Sequence, residues 1–92
     1  MEELKPNLSK PVEFSLHARE KMLDRGATED EVLVAIREGS IEPARKGRVM
    51  FRKNFAFNNK WRDKFYAVKQ VAPVVVEEVD RLVVVTVFVY YF

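Results

Sequence analysis

The run LVVVTVFVYYF at residues 82–92 constrains what this chain can fold into more than any other stretch. Its β-branched and aromatic side chains fit a pleated strand and crowd a helix. It is about half the ~20 residues that a membrane-spanning helix needs. Such a strand needs at least two paired neighbours to be stable in water. The remaining residues must therefore supply both strand partners and a cover for an apolar face.

The partners lie beyond Pro43. GRVMFRKNFAF and KWRDKFYAVKQ flank NNK at 58–60, where Asn58 and Asn59 tolerate positive φ, which predicts a hairpin turn there. PVVVEEV and RLVVVTVFVYYF flank Asp80, predicting a second hairpin. Pro73 has no amide hydrogen to give a ladder, so it is expected to begin a strand or to lie at an edge.

The cover comes from the first half. Ser15 is placed to accept from a first-turn amide, and Gly26 supplies a left-handed stop, predicting a helix from about 16 to 25. On a helical wheel Leu16 and Leu23 fall together, with Met22 and Ala18 widening the buried stripe, and His17, Glu20, Lys21 and Asp24 opposite. In TEDEVLVAIREG, Thr28 and Glu31 make a capping box, Val32, Ala35 and Ile36 share a face, and Gly39 closes the helix. Glu29, Asp30 and Glu31 are explained by the helix dipole, not by a metal. VEF at 12–14 reads as a short strand, and residues 1–11, with Pro6 and Pro11, as a flexible arm. The expected architecture is a single α+β domain over 12–92. A short N-terminal strand and two helices pack on a four-stranded antiparallel sheet.

The composition excludes several chemistries. With no cysteine there is no disulfide frame or thiolate site, and one histidine makes a zinc site a poor fit. No P-loop or GxGxxG occurs, so neither a nucleotide cofactor nor a metal is expected. MEELKPNLSK does not look like a secretory signal, and no membrane association is expected, which points to the cytoplasm. The charged fraction of 33% and the single Gln70 fit a heat-adapted source.

The net charge of +2 hides a strong asymmetry: residues 43–70 hold nine Lys/Arg against Asp63 alone. A cationic segment of this kind is the electrostatic footprint of a phosphate-bearing partner. Alternation along the strands puts Val49, Phe51 and Phe55 on one side and Arg48, Met50, Arg52 and Asn54 on the other. It likewise opposes Trp61, Phe65 and Ala67 to Arg62, Lys64, Tyr66 and Val68. In the last strand Val83, Val85, Val87, Val89 and Tyr91 form the expected core set, leaving Thr86, Phe88 and Tyr90 with the cations. Basic and aromatic residues on one open sheet face can grip phosphates and stack bases. Equally, they describe a solvated outer face, or an apolar partner surface around Leu82, Val84 and Phe88. His17 is the one side chain whose unperturbed pKa lies near neutrality; a lone histidine on a polar helix flank is also an ordinary surface residue.

FSLHAREKMLDRGATEDEVLVAIREG, residues 14–39, resembles the opening signature of a bacterial domain family of unknown function. That signature runs roughly F-[ST]-x-H-A-x-x-[RK]-M-x-x-R-G, and VVVTVFVY resembles the strand that closes the domain. Ala27 stands where that family often has a larger aliphatic, and residues 53–80 are longer than its usual pattern. More distantly, the order of elements is similar to the RelE-like toxins within the barnase–EndoU–colicin–RelE group of metal-independent ribonucleases. That likeness implies an RNA partner and, in its catalytic form, a toxin-type endoribonuclease working through ribose 2′-OH attack. His17 would be the acid or base, Arg52 and Arg62 would support the phosphate, and Tyr90 would donate a proton or stack. Arg48, Lys64, Tyr66 and Thr86 would hold the RNA. The alternative is a non-catalytic module that binds a protein partner, or a second copy of itself, through the last strand.

Overall fold

The computed structural model describes residues 5–92. It places strand β1 at Val12–Phe14, helix α1 at Leu16–Arg25, helix α2 at Glu29–Glu38, and strand β2 at Ser40–Pro43. A single 3₁₀ turn at Arg45–Gly47 leads to β3 at Val49–Trp61, β4 at Lys64–Glu77 and β5 at Leu82–Tyr91. The strands form one sheet in the order β1-β5-β4-β3-β2. β1 pairs parallel to β5 and every other pairing is antiparallel. The α+β class and the short N-terminal strand are as expected, but the sheet is five-stranded and mixed: KFYAVKQ and PVVVE, expected in separate strands, fall in the one long strand β4, and β2 is added. The helices let the chain return to the far edge of the sheet, and Ser40–Pro43, with only Ile41 as an apolar signal, adds the strand the sequence does not announce.

Both helices begin and end where their caps predict. The Ser15 hydroxyl accepts from Ala18 N, Gly26 takes φ 82, and Thr28 and Glu31 make both bonds of the capping box. Together α1 and α2 cover one face of the sheet. Ala18, Met22, Val32 and Ile36 meet Phe51, Val71, Val75, Leu82, Val84 and Val87 there. The rotation of α1 differs from the wheel's, since Leu16 and Leu23 are 74% and 84% exposed. Ser15 explains this: its amide donates to Val84 O (3.0 Å) and its hydroxyl to Val85 O (3.2 Å). Anchoring the N-cap to β5 turns Ala18 and Met22 inward.

Three features of the sheet depart from simple alternation. The β3–β4 turn is at Arg62–Asp63 (φ 53 and 70), a two-residue loop of the twist hairpins favour, and not at NNK. Asn58 (φ 46) instead lies in a bulge between Ala56 and Asn59. On β5 the register shifts where Val74 faces Thr86 and Val75 faces Val84, leaving Val85 as the extra residue. A bulge of this kind reverses which parity faces inward. The inward set is thus Leu82, Val84, Val87, Val89 and Tyr91, replacing the expected run of Val83 and Val85. Finally, Pro73 lies fully buried in the central strand, not at an edge. The register of β3 on β4 is the same on both sides of it, from Met50–Val74 to Lys53–Val71, so the strand runs straight through the position where Pro73 lacks a donor.

The arm is docked over its described part. Pro6 is buried, Leu8 packs on the core, Asn7 N donates to Glu77 (3.1 Å), and Lys10 pairs with Glu77 (2.9 Å). Residues 1–4 lie outside the described part. The Lys10 bond, followed by the Asn7 amide, holds the Glu77 carboxyl below its ordinary pKa.

Two glycines provide a matched test of this packing. Gly26 has φ +82, and a Cβ there would come within 2.7 Å of the Tyr91 hydroxyl and 2.8 Å of Trp61, whereas Gly47 has φ +73 with nothing within 4 Å. Gly47→Ala should cost only the left-handed backbone term, about 1–2 kcal/mol. Gly26→Ala should cost that and a further ~1–3 kcal/mol of overpacking, read as a larger loss in urea midpoint at unchanged slope.

Candidate functional site

With one face sealed by helices, the exposed chemistry gathers on the other. Its rows follow from the register: Glu42, Met50, Val74 and Thr86 lie across the sheet, and Asn54, Gln70 and Tyr90 form a parallel row. Arg52 sits between these rows. Its Nε donates to Glu42 (2.6 Å), its Nη1 to Gln70 (2.9 Å), and its guanidinium carbon lies 5.6 Å from the centre of the Tyr90 ring. The Glu42 bond, above all, raises the Arg52 pKa, which fixes this group as a permanent cation. Gln70 in turn donates to Asn54 (2.8 Å), completing a polar chain across β3 and β4.

Beside this chain Phe88 and Tyr90 stack with ring centroids 6.4 Å apart and planes 17° from parallel. They remain 37% and 42% exposed. Arg25 reaches them from α1 around the edge of β5. Its Nη1 donates to Val87 O (2.8 Å), and its guanidinium carbon lies 5.2 Å from the centre of the Phe88 ring. β1 pairs only with residues 82–84, so β5 has no strand beside it at Val87 among the described residues. Two aromatic rings, each held by an arginine, thus line the open face.

Next to Phe88 a cleft of about 340 Å³ opens between the sheet and the β2–β3 connection. Met50, Val74, Thr86 and Phe88 form its floor, and Arg45 and Arg48 stand at its rim. Among the described residues, Arg45, Lys46 and Arg48 form no salt bridge.

Of the residues singled out in the sequence, Arg48, Arg52, Thr86 and Tyr90 come together here. The other four do not. His17 is exposed on α1, in the helix layer, with no hydrogen bond or ion pair recorded for its side chain. Arg62 is a turn residue whose Nη2 donates to Asp24 O at the end of α1 (2.8 Å). Lys64 lies over the Tyr66 ring (5.6 Å), and Tyr66 packs against Tyr91 (5.5 Å). The shifted turn accounts for this: Arg62 leaves the strand, and the hairpin end joins the cluster around Tyr91 and the C-terminus of α1. Arg25, Arg45 and Lys46 were missed as site residues. RKGR was legible as a cationic turn, but Arg25 reaches the site around a sheet edge, which no sequence spacing announces.

No group of His, Cys, Asp and Glu suited to a metal ion occurs among the described residues. Among the described residues no helix is long and apolar enough to cross a membrane. Compared with protein-family models, with curated proteins and with solved structures, the chain gives no match in any of the three.

The Tyr91 hydroxyl donates to Arg25 O (2.7 Å), and burial first, then Glu31, raises its pKa above the ordinary 10.0, against an opposing effect of Arg62. The fold favours the neutral phenol, so this contribution is complete below the unfolded value and is lost as pH rises through the folded one. Wild type should exceed Tyr91→Phe in urea stability at about pH 8, and the difference should shrink as pH rises past about 10.

Proposed function

We propose that the open sheet face binds single-stranded RNA. The observation that carries this reading is the Phe88–Tyr90 stack flanked by Arg25 and Arg52. Every base has a π-face, so successive bases can stack on successive aromatics whatever their identity, while a guanidinium group without an acid partner, such as that of Arg25, meets the phosphates. The unpaired cations at Arg45, Lys46 and Arg48 extend the positive potential along the same face. The order of a short strand, two helices and largely antiparallel strands is the feature on which the RelE-like likeness rests.

Cleavage is the narrower form of this proposal, and the geometry favours binding. Attack by a ribose 2′-OH requires a base, an acid and cationic support at one phosphate. His17 projects from the helix layer and Arg52 lies on the opposite face, so the pair does not frame one phosphate. The free edge of β5 beside exposed Phe88 supports the second reading, a protein partner or second copy pairing along the last strand.

Anisotropy of a labelled RNA of about 12 nucleotides tests the first reading. Affinity should fall as salt rises, with a log–log slope of about −0.7 for each phosphate neutralised on a single strand. Phe88→Ala and Tyr90→Ala should each weaken binding by roughly 5- to 150-fold, the ~1–3 kcal/mol of a stacked base. Arg62→Ala should lower stability by about 1 kcal/mol through the lost bond to Asp24 O and leave RNA affinity unchanged. Binding indifferent to salt and to both aromatics would overturn the reading. A dimer in light scattering that Phe88→Ala dissociates would favour the alternative.

A further inference from the structure

Charge separates three clefts among the described residues. The one of about 320 Å³ beside Gly39 includes Glu38 and lies at the C-terminal end of α2, where the helix dipole is negative. Its cations are already engaged, Arg52 with Glu42 and Lys53 with Glu38. The one of about 280 Å³ between α1 and α2 is apolar around a paired Arg19 and Glu29, and nothing marks an occupant. The third, under the β2–β3 connection, combines an apolar floor with free cations.

We infer that this third cleft holds one nucleotide of the bound strand, its base on Met50, Val74 and Phe88 and its phosphate on Arg45 and Arg48. This deepens the RNA reading and rests on it for the choice of a nucleotide as occupant. At about 340 Å³ the cleft lies at the small end of ligand sites, suited to a single ring system. Its floor is apolar except for the Thr86 hydroxyl, the one side-chain group there that can hydrogen-bond a base edge. The rim is built, not a loose loop. Ala44 N donates to Arg48 O (2.9 Å) and Arg48 N to Arg45 O (3.1 Å). Lys46 (φ 61) and Gly47 (φ 73) turn the chain back on itself, holding Arg45 and Arg48 over one opening. Guanidinium forks without acid partners can meet phosphate oxygens without first breaking an ion pair. Phe88 belongs to both the cleft and the Phe88–Tyr90 stack, so a base in the cleft continues the row of stacked bases.

Methyl-resolved NMR on the full chain, with adenosine 5′-monophosphate, adenosine and inorganic phosphate as separate probes, tests this. The monophosphate should shift the methyls of Met50, Val74 and Thr86 and bind at least 5-fold tighter than either fragment. Arg48→Glu should remove that advantage while leaving adenosine binding intact. Met50→Phe should fill the floor and abolish binding of both adenosine-containing probes, with an unchanged melting temperature showing that the sheet is intact. Shifts confined to residues outside the cleft, or monophosphate affinity unaffected by Arg48→Glu, would overturn the inference. The two proposals fail separately. RNA that binds through Phe88 and Tyr90 while the monophosphate leaves the cleft untouched removes only the nucleotide pocket. A monophosphate that fills the cleft in a chain with no affinity for RNA removes the open-face reading and, with it, the assignment of the nucleotide to a bound strand, leaving a site for a free nucleotide.

Discussion

Lys69 ties the helical layer to the sheet. Only 6% exposed, its ammonium donates to Gly26 O (2.7 Å) and pairs with Glu31 (2.9 Å), with the Phe57 ring 5.4 Å away. A buried ammonium without partners would be strongly unfavourable; here one carbonyl, one carboxylate and one ring share the charge. The attachment lies at the turn between the helices, so a single side chain from the central strand fixes the end of α1 and the start of α2. Glu31 serves twice, closing the α2 capping box through Thr28 N and meeting Lys69.

The same end of α1 draws in the hairpin. Its last carbonyls, Asp24 O, Arg25 O and Gly26 O, accept from Arg62, Tyr91 and Lys69 in turn. Helix C-termini leave carbonyls unpaired and carry partial negative charge, so two cations and a phenol are well matched to them. Trp61 stacks on Tyr91 (5.1 Å, 13°) and closes over Gly26, whose missing side chain makes the approach possible. The cationic segment of the sequence therefore divides in two. Arg62 and Lys69 hold the fold together, and Arg45, Lys46 and Arg48 remain free for a ligand.

Local signals were legible in the sequence because local interactions cause them. Ser15, Gly26, Thr28 and Glu31 act within one turn of themselves, and the helix ends follow. The α2 stripe of Val32, Ala35 and Ile36 is buried as its spacing implies. Two-fold alternation was read correctly wherever a strand runs without interruption, as at Phe51 against Arg52. It failed where one residue is added. The Val85 bulge exchanges the faces of β5 before Thr86, and a lone extra residue leaves no trace among so many valines. NNK and Arg62–Asp63 are both plausible turns from composition, and only the pairing of Trp61 with Lys64 decides between them. The parallel partnership of β1 with β5 depends on contact across some seventy positions, beyond the reach of any window.

These departures also explain why only half of the candidate residues come together on one face. Thr86, Phe88 and Tyr90 lie on the far side of the Val85 bulge, where the assumed parity and the real one coincide. Arg48 and Arg52 precede every irregularity in β3. Arg62, Lys64 and Tyr66 follow the Asn58 bulge, where the strand coils toward α1 and parity no longer reports a face. An open face that binds an anionic polymer must offer cations that are held but not neutralised. Arg52, paired with Glu42, is suited to orient Tyr90 more than to grip phosphate, because a new anion must compete with an existing carboxylate. Arg25 is anchored only by a neutral carbonyl and retains its full charge. Among the described residues, the cations of this face without an acid partner are Arg25 at one side and those of the Arg45–Arg48 loop at the other, with the aromatic pair and Arg52 between them. A strand laid along this line would meet charge at both ends and stacking surface in the middle.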